Sequence, residues 1–508
     1  MTSTTDRFVG ALDAGTGSIR FMIFDRHGQV IAQAQKAHAQ IFPAQGWVEH
    51  DPMEIWDNTC EVIRTALQQR DLTARDLAAI GITNQRETTV IWERKTGLPV
   101  YNALVWQDVR TAGICAAWQA AGLEPEISRI TGLPLSPYFA ASKICWILDH
   151  VAEGRRRARR GELCCGTIDT WLLWRLTADR RFVTDVTNAS RTLCMDLQTL
   201  DWDPGLLQTF DIPERLLPAI RPSSHPAAYG RTSPQGPLGG AVPICGVLGD
   251  QQAAMVGQTC FGPGEAKNTY GTGCFVLLNT GTEIVRSRHG LLTTVAYAFD
   301  QTPPVYALEG SIAMGGATIQ WLRDEMEMIA TAAESAEWAA RVPDCGGCYL
   351  VPAFSGLLAP YWRSDARGVL AGLTRYVTKA HVVRAALEAI CYQSREVLDA
   401  MQEDSGMALS NLHVDGGATA NDFLMQLQAD IQGVTVVRPQ LAETTSLGAA
   451  YAAGLAAEYW DSLAELRDHY REDRRWQPRI SPEEREAGYS QWRKAVTRTL
   501  NWTDPDVN

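Results

Sequence analysis

Short apolar runs broken by glycine or polar turns alternate along the chain with longer stretches in which apolar residues recur every three or four positions. The first pattern predicts strands and the second amphipathic helices, and their alternation predicts an α/β fold in more than one lobe. Residues 8–33 open as a hairpin, in which FVGALDA and SIRFMIFD flank a turn at Gly15, Thr16 and Gly17. Asp51 then caps a helix with Pro52 at its first position and Glu54 reaching back to the cap, while Ile55, Thr59, Val62, Ile63 and Ala66 share one face. AAIGITNQRETTVIW continues as a buried strand, a polar turn and a hairpin that closes near Gly97.

The stretch 218–243, rich in Pro, Gly and Ser, reads as a long loop. Beyond it AVPICGVLGDQQAAMVG passes from strand to helix, with Gly249, Asp250 and Gln251 at the junction. A boundary at residue 254 divides the chain into lobes 1–254 and 255–508. The second lobe opens with another glycine-threonine-glycine turn, Gly271, Thr272 and Gly273, again between two strand-like runs. A helix within 310–326, a strand, glycine turn and helix over 412–431, and a final helix boxed by Ser481, Pro482 and Glu484 follow.

Composition narrows the class. A 508-residue chain that is 45% hydrophobic and 20% charged can bury a large core, and its length fits two to four domains. The net charge of −12 opposes binding to a polyanion, so no nucleic-acid partner is expected; the one basic cluster, GRRRARRG at 154–161, reads as a solvated helix end. Asp6 and Arg7 precede only a very short apolar run, which does not fit a secretory signal, and no apolar stretch of about 18 residues occurs. The expected location is the cytoplasm, without membrane insertion. The twelve cysteines form no framework, and Cys145, Cys245, Cys274 and Cys391 sit in apolar runs as buried thiols would; Cys345 and Cys348 have CxxC spacing but no second pair to complete a zinc site.

Candidate chemistry comes from the two GTG turns. Glycine lets backbone N–H groups approach an anion and threonine adds a hydroxyl, so such a turn between strands can hold a phosphate chain. Asp13, just before the first turn, could hold Mg²⁺ through water, and Arg20, just after it, could neutralise phosphate oxygens. A lone GTG serves backbone geometry as readily; two of them, with the VDGGA turn from Val414 to Ala418, favour a nucleotide cleft. There is no GxxxxGK[ST] loop, no GxGxxG entering a helix, no HExxH and no GxSxG.

At these positions the chain resembles the glycerol kinases, members of the FGGY sugar- and polyol-kinase family whose ATPase fold is shared with actin, hexokinase and the heat-shock chaperones. The resemblance lies in LDAGTGSIR, GITNQRETT, VWQDVRT, GTIDTWLLW, TDVTNASRT, GDQQAA, NTYGTGCF and VDGGATAND, and runs in order from about residue 8 to about residue 500. It implies two actin-like (ribonuclease H-like) ATPase lobes around a central cleft, and MgATP-dependent phosphorylation of glycerol to sn-glycerol 3-phosphate by a homodimer or homotetramer. Glycerol ligands implied are Arg86, Glu87, Tyr138, Asp250 and Gln251, with Trp106 and Phe275 as apolar walls. Such a set suits a triol with a thin C–H backbone, since each unpaired polar group in a closed site costs roughly 1 to 3 kcal/mol. Without the resemblance, Trp106 and Phe275 read equally as core, Arg86 and Glu87 as a surface charge pair, and Asp250 as a helix N-cap.

The resemblance makes Asp250 the catalytic base and Asp13 the metal anchor. It assigns phosphate contacts to Thr16, Gly17, Ser18, Arg20 and Thr272, and further nucleotide contacts to Gly316, Gln320, Gly417 and Asn421. Two departures matter. Family members often carry GTTS where this chain has GTGS, so Gly17 removes a hydroxyl from the first clamp. Members inhibited by fructose 1,6-bisphosphate carry a GGTRIP-like segment, whereas this chain reads GGAVPIC, with Ala241 and Val242 in place of the arginine, so weak or absent inhibition is expected. The tail segment RISPEERE likewise differs from the surface by which enteric relatives bind a glucose-phosphotransferase regulatory protein. Competing readings are a kinase of another polyol or ketose, and an ATPase switch that hydrolyses ATP without an acceptor.

Overall fold

The computed structural model describes residues 7–503; Asp6, on which the secretory-signal expectation partly rests, lies outside them. Its centre is one strand topology used twice. In the first half, strands Phe8–Ala14, Ser18–Phe24 and Val30–Ala37 form an antiparallel meander, and Leu77–Asn84 and Ile244–Gly249 add to it in parallel. In the second half, Ala266–Tyr270, Cys274–Gly281 and Val305–Ile312 repeat the meander, and Asn411–Asp415 and Thr435–Pro439 repeat the parallel addition. Edge strands Leu292–Tyr297 and Glu472–Trp476 widen the second sheet to seven. This duplication is the expected pair of ribonuclease H-like lobes, and each GTG turn occupies the same place, the first hairpin of its sheet.

Local rules explain the flanking helices. Asp51 accepts from the Met53 N–H and Pro52 starts the helix Pro52–Gln68, whose Ile55, Thr59, Val62, Ile63 and Ala66 are all buried. Glu54 departs from expectation: rather than closing a capping box, its carboxylate accepts from the Ala39 N–H at 3.2 Å, tying the helix to the end of the adjacent strand. The box at Ser481 and Glu484 forms as read. The arginines of 154–161 run through a short helix of their own, Gly154–Arg159, rather than ending the preceding one, and pair with Asp149, Glu153, Glu93, Glu162 and Asp211. All twelve cysteines are buried free thiols, including Cys345 and Cys348.

The halves are interleaved. Residue 254 falls inside the helix Asp250–Gly257, which crosses the helix Thr444–Ala456 at close range. A Cβ at Gly257 would overlap the Thr444 carbonyl, and one at Gly448 would overlap the Ala253 carbonyl, so the crossing requires glycine on both helices. Thr444–Ala456, although late in sequence, lies against strands Phe8–Ala14, Leu77–Asn84 and Ile244–Gly249 of the first sheet, and Ala449, Ala450, Ala452 and Ala453 are buried in that core. Among the described residues, no helix is long and apolar enough to cross a membrane.

Candidate active site

The site is assembled where the two sheets face each other. The strand Leu77–Asn84 delivers the turn Gln85, Arg86, Glu87 and Thr88, held by the Gln85 N–H on the Ala14 carbonyl at 2.8 Å. Glu87 adopts φ +61°, an uncommon conformation for a non-glycine residue and a frequent mark of functional backbone. Arg86 and Glu87 are both buried, so they are not a surface pair, and each is matched with another partner. Arg86 makes a bidentate pair with Glu309 at 2.6 and 2.8 Å, and its Nε lies 3.2 Å from Asp250 Oδ1. Glu87 accepts from Arg191 Nε at 2.6 Å. Gly249 leaves the space through which the Arg86 side chain passes, since a Cβ there would sit 2.7 Å from its Cδ.

Arg191 and Glu309 were not singled out from the sequence, yet they hold the group together. Arg191, fully buried, donates to both oxygens of Glu309 at 3.1 and 3.2 Å and lies over the Tyr138 and Phe139 rings. Burial alone would raise the Glu309 pKa, but Arg191 and Arg86 hold it down at about 2. Burial raises the Glu87 carboxyl above its usual range against the pull of Arg191 and Arg86. Arg86, Arg191 and Lys267 balance Glu87, Asp250 and Glu309, so formal charge cancels within this buried cluster.

Asp250 begins the helix Asp250–Gly257, while Gly249 occupies the cap position; Asp250 Oδ1 also accepts from the Gln251 N–H at 2.7 Å. Its pKa is raised, by burial first, with Arg86 and Lys267 opposing. Trp106 meets Tyr138 and Phe275 edge to face, with centroids 5.6 and 6.1 Å apart, and its Nε1 donates to Thr16 Oγ1 at 3.0 Å. One run of contacts therefore leads from the first GTG turn, through Trp106, to Phe275 just past the second. Gln251 is buried beside Lys267, which donates to its Oε1.

Asp13 sits in register with Arg20 across the first hairpin, and Ser446 donates to its Oδ2 at 3.1 Å. Burial, with Asp250 adding to it and Arg20 opposing, lifts the Asp13 pKa to about 6. Arg20 is paired with Glu443 and bonded to Gln35, and Gln35 also donates to Ser18 Oγ at 2.8 Å. Gly17 is exposed, and a Cβ there would meet nothing within 4 Å. In the second lobe the Thr272 carbonyl accepts from the Gly315 and Ala317 N–H groups at 2.9 and 3.0 Å, and the Gly271 carbonyl from Gly316 at 2.8 Å. This packs the second turn against the start of the helix Gly316–Asp324, which carries the exposed Gln320. Gly417 opens a short turn that ends at Asn421, where the Asn421 side chain caps the helix Asp422–Gln432. Thr272, Gly417 and Gln320 are exposed, whereas Arg86, Glu87 and Gln251 are buried and Trp106, Tyr138, Asp250 and Phe275 are half-buried.

Comparison with known proteins fits this geometry. The N-terminal domain of the FGGY family of carbohydrate kinases matches residues 8–257, and its C-terminal domain matches residues 266–457. The chain belongs to the FGGY family of carbohydrate kinases. It is similar to glycerol kinase 1 of Streptomyces coelicolor, 60% identical over 97% of this chain and 98% of that protein. It is similar also to the glycerol kinase of Mycobacterium tuberculosis, 58% identical over 98% of this chain and 97% of that one. Among solved structures, Plasmodium falciparum glycerol kinase with ADP superposes with a TM-score of 0.92 at 37% identity, covering 97% of this chain and 98% of that one. For an FGGY kinase, the two glycine turns and the buried charges of Arg86, Glu87, Arg191 and Glu309 are the features to interpret.

Proposed function

We propose that the protein is an ATP-dependent glycerol kinase that makes sn-glycerol 3-phosphate. The observation that carries this reading is the charge cluster in which Arg86 pairs with Glu309 and Asp250, joined through Arg191 to the Tyr138 ring and so to Trp106 and Phe275, combined with whole-length similarity to glycerol kinases. Carboxylates and a guanidinium match hydroxyls, and the rings match the carbon chain. Arg86, Glu87, Tyr138, Asp250 and Gln251 bind glycerol, with Trp106 and Phe275 as walls. Asp250 takes the proton of the terminal hydroxyl as the γ-phosphoryl group leaves ATP; in a loose transition state its chief task is to orient that hydroxyl. Its raised pKa makes it a stronger base than an ordinary carboxylate.

Thr16, Gly17, Ser18, Arg20 and Thr272 hold the phosphates, and Gly316, Gln320, Gly417 and Asn421 hold the rest of the nucleotide. Arg20 must exchange its Glu443 partner to do so. Asp13 suits a Mg²⁺ site: a carboxylate desolvated to a pKa of about 6, with a single hydroxyl donor among the described residues, is stabilised by a divalent cation. The ion, when bound, neutralises charge on the transferring phosphate. The working division is a lobe of residues 1–254 that carries most of the glycerol, phosphate and metal contacts and a lobe of 255–508 that carries the nucleotide and adds Thr272 and Phe275. A cytoplasmic homodimer or homotetramer is the proposed form.

Coupled measurement of ADP release tests this reading. Turnover should require glycerol, collapse in Asp250→Asn, and lose glycerol use far more than ATP binding in Arg86→Ala. ADP release unaffected by glycerol, or equal use of xylulose and glycerol, rejects it.

A further inference from the structure

We propose that Lys267 is a positioning residue of the polyol site, a buried ammonium that fixes which end of the Gln251 amide meets the substrate. The inference rests on the glycerol-binding reading of that pocket. Lys267 is fully buried on the strand Ala266–Tyr270, and its Nζ donates to three oxygens: Gln251 Oε1, Thr269 Oγ1 at 2.9 Å and the Phe275 carbonyl at 3.3 Å. An ammonium has three donors and no acceptor, so these oxygens satisfy it and the Gln251 atom that faces it must be oxygen. The amide cannot turn over. Its Nε2, with two donors, has no partner among the described residues, and Gln251 keeps 7% of its surface exposed.

Packing alone does not account for a lysine here. No carboxylate lies within ion-pair distance of Nζ among the described residues, burial pushes its pKa down to about 8, and an apolar side chain would fill the same core at lower cost. Strand register supplies the second argument. Lys267 pairs with Leu277, and Leu277 pairs with Glu309, so lysine and glutamate stand in one row on one face of the second sheet. Both contact residues of the proposed polyol site: Glu309 orients Arg86, and Lys267 orients Gln251. The second lobe thus sets the polarity of ligands borne by the turn Gln85–Thr88 and by the helix Asp250–Gly257.

Fixed polarity has a chemical meaning. A hydroxyl that accepts from Gln251 Nε2 still has a proton to give a carboxylate such as Asp250, whereas a ketone oxygen has none. With the amide locked as a donor, Gln251 serves an oxygen acceptor, and the carboxylate of Asp250 supplies the preference for an alcohol over a carbonyl at that position.

Titration with glycerol and, separately, with ATP, followed by calorimetry on the full-length protein, gives the test. Lys267→Met is expected to weaken glycerol binding about tenfold or more and to leave the ATP dissociation constant unchanged. Lys267→Arg, which also donates only, is expected to recover most of the loss. Gln251→Glu keeps a partner for Lys267, and so its melting temperature, but replaces the donor by an acceptor and should lose glycerol binding as Lys267→Met does. Should Lys267→Met fail to fold, the arginine and glutamate variants decide. Glycerol binding at wild-type strength in either Lys267→Met or Gln251→Glu overturns the positioning role; a wild-type protein that binds ATP but not glycerol overturns the underlying function as well.

Discussion

Glu309→Gln isolates the charge that joins the lobes. Glutamine keeps the volume of glutamate, so no cavity opens, while Arg86 and Arg191 lose the carboxylate that faces both within 2.6 to 3.2 Å. Holding Glu309 at about 2 rather than at the ordinary 4.5 corresponds by linkage to about 3 kcal/mol of folded-state stability. Removing one partner of a buried pair costs about 3 to 5 kcal/mol on general grounds, so the two routes agree. The sign follows from the lowered pKa: this contribution is fully present above the unfolded value of 4.5 and is lost as pH falls toward 2. Urea unfolding of wild type and variant, followed by tryptophan fluorescence at pH 7 and again near pH 3, measures it. The variant should be less stable by about 3 kcal/mol at pH 7, and the gap should narrow at the lower pH. A variant as stable as wild type at pH 7, or a gap that does not narrow in acid, refutes the reasoning.

Other perturbations have equally definite outcomes. Gly17→Thr places a side chain where a Cβ has open space, so it should be tolerated and should lower the KM for ATP a few-fold by restoring a donor to the first clamp; a raised KM would contradict the assignment of this turn to phosphate. Gly448→Ala drives a methyl group into the Ala253 carbonyl and should destabilise the protein by about 1 to 3 kcal/mol or more, whereas Gly406→Ala, where a Cβ meets nothing but φ is +68°, should cost only the backbone strain of about 1 kcal/mol; equal melting temperatures for the two would argue against a tight crossing. Fructose 1,6-bisphosphate should leave turnover unchanged, since Val242 is buried and Ala241 brings no charge; inhibition by that sugar in the ADP-release assay would show a cation elsewhere doing the arginine's task.

The lobes and their hairpins were legible because glycine turns, strand alternation and caps are local signals, readable within about ten residues of sequence. The proposed polyol ligands Arg86, Glu87 and Asp250 came through the resemblance, which also supplied Trp106 and Phe275. Arg191, Glu309 and Lys267 did not. Each is a charge within or beside an apolar run, as in VYALEGSI and AKNTYGTGCFVLL, and the register that aligns Lys267 with Glu309 joins strands about forty residues apart. The available signal was energetic: a charge in a run that must be buried is costly unless something pairs with it, so such residues mark positions where a partner should be sought. Glu54 misled for a related reason, because a capping box and a tertiary hydrogen bond compete for one carboxylate and only the fold reveals which is nearer.

The helix Thr444–Ala456 sets an order of events during synthesis. Strands Phe8–Ala14, Leu77–Asn84 and Ile244–Gly249 are complete by residue 249, but most of the cover on one side of their sheet comes from a helix nearly two hundred residues later. The first lobe therefore cannot mature while the second is still on the ribosome, and a chain cut between them leaves two fragments that each lack part of a core. What looks like two units in the sequence shares one core, completed by a late helix that returns to the first sheet.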